Sequence, residues 1–106
     1  MVLARMTKWI FKEGKRNSAF NELDATVGNV ARTSKGFRGV MSLLSRDDPN
    51  IGFVITLWND DESLKASERN VLPPSIQKVM EDLAEPPAVE NFRLFTAELR
   101  SIGPTE

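Results

Sequence analysis

Residues 36–66 read GFRGVMSLLSRDDPNIGFVITLWNDDESLKA, and the alternation of apolar side chains within them sets the architecture around them. Phe37 to Leu44 and Phe53 to Trp58 predict two strands, joined through Asp47-Asp48-Pro49-Asn50, a composition suited to a turn. Successive side chains on a strand point to opposite faces. Phe53, Ile55 and Leu57 therefore share one face of the second strand, and Val54 and Trp58 the other. In the first strand, Phe37, Met41 and Leu43 oppose Val40 and Leu44. Apolar residues on both faces call for cover on both faces. A chain of 106 residues has few elements left to supply two covering layers.

On the N-terminal side, residues 2–11 predict a strand with Val2, Ala4, Met6 and Ile10 on one face and Leu3, Trp9 and Phe11 on the other. Gly14 interrupts it. A long helix is expected from about Lys15 to Ser34, with Phe20, Leu23, Val27, Val30 and Ala31 spaced by three and four along one stripe. Gly36 follows, where a left-handed backbone commonly closes a helix.

On the C-terminal side, Asn59 with Glu62 three residues later resembles a capping box opening a second helix. Pro73-Pro74 interrupts that helix, and Ile76, Val79, Met80 and Leu83 continue at helical spacing. Pro86-Pro87 ends the segment, and residues 88–101 predict a last strand through Val89, Phe92, Leu94, Phe95, Ala97 and Leu99. The order is the ferredoxin-like βαββαβ pattern, an α+β fold with a four-stranded antiparallel sheet. Residues 1–106 are expected to form one such domain. Both helices then cover one sheet face. The other is an apolar patch that a second copy covers most economically, sheet against sheet, in a two-fold homodimer.

Composition narrows the chemistry. Fourteen Lys and Arg oppose fifteen Asp and Glu, and the chain has no His, Cys or Tyr. Zinc, copper and histidine-ligated haem sites lose their usual ligands, and Ser-His-Asp and Cys-His catalysis are excluded. No Walker-type loop or GxGxxG fingerprint is present. Net charge near neutral gives no field for nucleic acid. No apolar run reads as a signal peptide or membrane span, so the expectation is a cytoplasmic protein with no membrane partner, no metal and no cofactor.

Three segments carry a family resemblance: the FKEG turn at Phe11–Gly14, the KGFRG turn at Lys35–Gly39, and the loop, strand, Trp and acidic helix from Asp48 to Leu64. In order and spacing the chain resembles the antibiotic-biosynthesis monooxygenase-type domains of the dimeric α/β-barrel superfamily. The resemblance implies a two-layer dimer with a pocket between sheet and helices in each subunit. It also implies oxidation of polycyclic aromatic phenols without metal or flavin, the deprotonated substrate supplying electrons to oxygen. Members use an Asn four residues before the Trp and a Tyr six after it. Trp58 matches, whereas those positions hold Val54 and Leu64, and a His common nine residues after the Trp is Ser67. The polar catalytic set does not carry over, and the pocket becomes more apolar.

The ligand-binding candidates are Trp58, Thr56, Val54, Leu64 and Arg38. Trp58 can stack on a ligand or serve the core. Thr56 can hydrogen-bond a ligand or simply favour a strand. Arg5 and Arg38 can meet an anionic group or reach to solvent. Asp60-Asp61-Glu62 fits a helix dipole better than a magnesium site, Asp47-Asp48 fits a turn, and the GFRG spacing fits a turn entering a strand. Two functions follow: a cofactor-independent monooxygenase acting on a small aromatic molecule, or a non-catalytic ligand-binding or stress-related homodimer. A remote third is an RNA-binding module, since Gly52-Phe53-Val54 loosely resembles an RNA-recognition strand. It lacks the basic surface and aromatic platform such binding requires.

Overall fold

The computed structural model describes residues 1–105. Its elements run β1 (Leu3–Ile10), α1 (Arg16–Leu23), a π-turn (Asp24–Gly28), α2 (Asn29–Arg32), β2 (Phe37–Leu44), β3 (Ile51–Trp58), α3 (Asp61–Ser67), α4 (Ile76–Glu81) and β4 (Ala88–Arg93). The four strands form an antiparallel sheet in the order β2-β3-β1-β4. This is the α+β ferredoxin-like fold that the strand and helix order predicts.

Register assigns the faces. Leu3, Arg5, Thr7 and Trp9 of β1 stand opposite Trp58, Thr56, Val54 and Gly52 of β3. These residues share the helix-covered side. Two core clusters form there: Trp9, Phe11, Phe20, Leu23 and Val79 in one, and Ala31, Trp58 and Leu64 in the other. Gly52 lets the two layers meet closely, because a Cβ there would overlap the ring of Phe20. The opposite side presents Met6, Ile10, Phe53, Ile55 and Leu57, all only half-buried.

Four expectations are corrected. Phe37 shares its face with Val40 and Leu44, not with Met41 and Leu43. A β-bulge between Phe37 and Gly39 adds a residue to β2 and reverses the alternation, so Phe37 pairs with Trp58 and meets it edge-on at 5.8 Å. The helix N-cap is Asp60, whose Oδ1 accepts from the Ser63 backbone N–H at 2.8 Å. Asn59 is held in the strand ladder instead, its N–H donating to Gly36 O at 2.8 Å. The long helix is not uniform, because the π-turn interrupts its middle. The last strand ends at Arg93 rather than continuing to 101: Arg93 pairs with Leu3 and Leu94 N–H bonds Val2 O at 2.9 Å, so β1 offers no further ladder.

The hairpin between β2 and β3 is fastened from outside. Arg16 Nη1 donates to Ser45 O at 2.8 Å and Asp48 O at 3.1 Å, and Asp48 Oδ1 accepts from Asn50 N–H at 2.9 Å. Asp47-Asp48 thus belongs to turn chemistry. Gly36 has φ +83°, and a Cβ there would overlap Ser63, so only glycine fits the bend into β2.

Candidate ligand cavity

Between the covered sheet face and the α1–α2 helix lies a cavity of about 270 Å³. Its floor is read from the register. One row across the sheet is Thr7, Val54 and Ser42; the next is Arg5, Thr56 and Val40. Trp9 and Trp58 border the floor at its two ends. The roof is Leu23, Val27, Gly28, Val30 and Ala31, and the end of α3 contributes Ser67 and Glu68.

The π-turn shapes this roof. Thr26 Oγ1 donates to Glu22 O at 2.7 Å and Asn29 Nδ2 to Ala25 O at 2.8 Å, side-chain bonds that compete with the regular ladder. The extra residue turns Val27 and Gly28 toward the cavity, and such turns commonly sit at functional sites. Gly28 leaves room for the Arg32–Asp24 ion pair, 2.6 Å long, since a Cβ there would crowd both side chains.

Both terminal nitrogens of Arg5 are engaged. Its guanidinium donates to Ser67 Oγ at 2.8 Å, Leu64 O at 3.0 Å and Glu68 Oε1 at 2.9 Å. The fork ties the C-terminal end of α3 to the sheet, where a cation also suits the helix dipole. Of the acids on the cavity wall, Glu68 is therefore paired with Arg5 and Asp24 with Arg32.

The structure brings Trp58, Thr56 and Val54 together on the cavity wall. The Trp58 ring is also core, 2% exposed, and its Nε1 donates to Thr56 Oγ1 at 2.9 Å. Leu64 lies in the packed cluster with Trp58 and Ala31 rather than on that wall. Arg38 sits on the exposed bulge and donates to Asn59 Oδ1 at 2.9 Å. The GFRG segment is accordingly a strand entry. Asp60, Asp61 and Glu62 make a cap and a first turn, and among the described residues no three acidic side chains converge on a metal-sized point. Hydrogen bonds from Ser63 hold the Asp60 carboxyl below its ordinary range.

Thr7, Ser42 and Trp9 were not singled out by the motif positions. The available signal was the pairing register, which places them in line with Val54 and Thr56.

A family model described as antibiotic biosynthesis monooxygenase matches residues 1–82. The chain belongs to this family. Solved structures agree in fold. A Nitrosomonas europaea protein of unknown function superposes with a TM-score of 0.75 at 19% identity, covering 94% of this chain and 95% of its own. A variant of SnoaB, a cofactor-independent oxygenase from Streptomyces nogalater, gives 0.70 at 14% identity, covering 91% and 95%. A Mycobacterium tuberculosis relative gives 0.71 at 17%, covering 92% and 98%. No functionally curated protein matches this antibiotic-biosynthesis-monooxygenase-type chain by sequence.

Proposed function

We propose that this chain is a homodimeric antibiotic-biosynthesis-monooxygenase-type domain whose cavity takes a small, flat, aromatic ligand. The observation that carries the reading is the cavity itself: about 270 Å³, walled by valines and leucines and bordered by two tryptophans. Concave, mostly apolar pockets with a few placed polar groups are where small ligands bind. Trp58, Thr56 and Val54 are the proposed contacts. Leu64 supports Trp58 from behind, and Arg38 acts outside the cavity.

Family membership supports a second, catalytic reading, in which the bound phenol or its anion reduces oxygen directly. A base must then reach the substrate proton. The carboxylates on the wall already face arginines, Asp24 with Arg32 and Glu68 with Arg5, so ligand binding is the stronger reading. Oxygen uptake with 1-naphthol separates the two. Binding without protein-dependent uptake supports the non-catalytic homodimer, and uptake abolished by Trp58→Ala in folded protein supports the oxygenase.

The homodimer rests on the open sheet face. Met6, Phe53, Ile55 and Leu57 are half-buried there, with Leu43 and Phe92 more exposed. No helix of the described chain covers them. A two-fold partner would bury this face, and with it the exposed apolar residues beyond β4, among them Phe95 and Leu99.

A further inference from the structure

A second hollow adjoins the first. It is a crevice of about 330 Å³ between the end of α2 and α3, with Thr33, Ser34, Lys35, Ser63 and Val71 in its wall. Val30, Ser67 and Asn70 belong both to this wall and to that of the inner cavity, so they form the partition between the two. The chain beyond α3 runs along the same partition. Leu72 lines the cavity, and its neighbour Val71 lines the crevice.

This partition is weakly fastened. Residues 68–75 form no regular element, and the apolar Val71 and Leu72 are 90% and 39% exposed. The two ends are firm. Arg5 holds the near end through Ser67, Glu68 and Leu64 O, and Pro73-Pro74 stiffen the far end before α4, which Val79 roots in the core. Between them, the backbone N–H groups of Arg69 and Asn70 bond only back to Ala66 O and Ser67 O in the last turn of α3. Among the described residues, one side-chain hydrogen bond joins residues 69–72 to the rest of the fold: Asn70 Nδ2 donates to Ser34 Oγ at 3.0 Å. Ser34 Oγ in turn donates to Val30 O at 2.7 Å, which links the bond to the third member of the partition. A segment with few buried contacts and no ladder opens at low cost.

We propose that residues 69–72 are a strap latched by the Asn70–Ser34 bond, and that releasing the latch joins the cavity to the crevice and gives a ligand its way in and out. Such a gate raises or lowers entry and exit together and leaves affinity unchanged. This rests on the ligand-cavity reading above and names how access to that cavity is controlled.

Acrylamide quenching tests the gate without a ligand. The chain has no tyrosine, so its emission comes from Trp9 and Trp58, both buried and both bordering the cavity. A neutral hydrogen bond biases an opening equilibrium about three- to tenfold, and Asn70→Ala should raise the bimolecular quenching constant of the folded protein by that factor. Ser34→Ala breaks the same bond from the other side and should match it, with the double variant adding nothing further. Thr33→Ala, in the crevice wall and bonded only within its own helix, should leave quenching as it is. In stopped-flow mixing with 1-naphthol, Asn70→Ala should speed association and dissociation by the same factor. Unchanged quenching in either folded single variant overturns the latch, and so does a changed 1-naphthol affinity with an unchanged association rate. If 1-naphthol fails to bind while quenching rises as expected, the ligand reading falls and the gate stands. Should one single variant fail to fold, the other carries the test.

Discussion

Thr56 and Trp58 show how one side chain can serve the core and a cavity together. Trp58 fills space among Leu3, Phe37, Ala31 and Leu64 while lining the floor beneath α2. Its removal should be expensive: Trp58→Ala is expected to cost about 3–5 kcal/mol in urea denaturation. Thr56→Val keeps the shape but strands the indole N–H, and about 1–3 kcal/mol should be lost. Asp60 gives a pH signature. Its folded-state pKa is lowered by hydrogen bonds from Ser63, so its contribution is complete above the ordinary carboxylate range and disappears as pH falls through the lowered value. Asp60→Asn caps without titrating and should flatten that part of the acid unfolding curve, as followed by circular dichroism. The sequence showed an acidic, capped helix start. It could not show which of Asn59 and Asp60 caps, because that depended on Asn59 being held in the ladder to Gly36.

Between elements, hydrogen-bonding partners made the corrections that local pattern could not. Apolar residues continue from 88 to 101 in sequence, yet β4 stops at Arg93 because β1 runs out of backbone to pair with. The bulge in β2 likewise moves Phe37 across the sheet; Gly39 beside it is the one local sign in FRGVM, and it does not fix which face Phe37 takes. The helix stripe was legible through Phe20, Leu23, Val27, Val30 and Ala31. The π-turn that aims its middle at the cavity depends on Thr26 and Asn29 bonding back to the backbone. Layer spacing depends on Gly52. Gly52→Ala must push the Phe20 ring aside, and a loss of about 1–3 kcal/mol is expected from thermal or urea unfolding.

For the molecule as a whole, the open sheet face is the unsettled surface, and its residues make the test. Ile55→Glu places a charge at the centre of that face and should convert a dimer to monomer in light scattering, while truncation after Arg93 should weaken the dimer more mildly. An unchanged dimer in Ile55→Glu would move the interface elsewhere. The amino-acid order alone determined the βαββαβ succession, the two-sided apolarity of β3 and the absence of His and Cys chemistry, because these follow from side-chain period and residue type. It also carried the family likeness through its turns and Trp58. Only the tertiary structure decided that Trp58, Thr56 and Val54 meet on a cavity while Leu64 and Arg38 do not, and that Arg5 is spent on the end of α3. Those outcomes turn on register and on contacts between residues far apart in the chain. A single inserted residue such as the β2 bulge exchanges one face for the other, and the alternation of apolar residues alone does not place it.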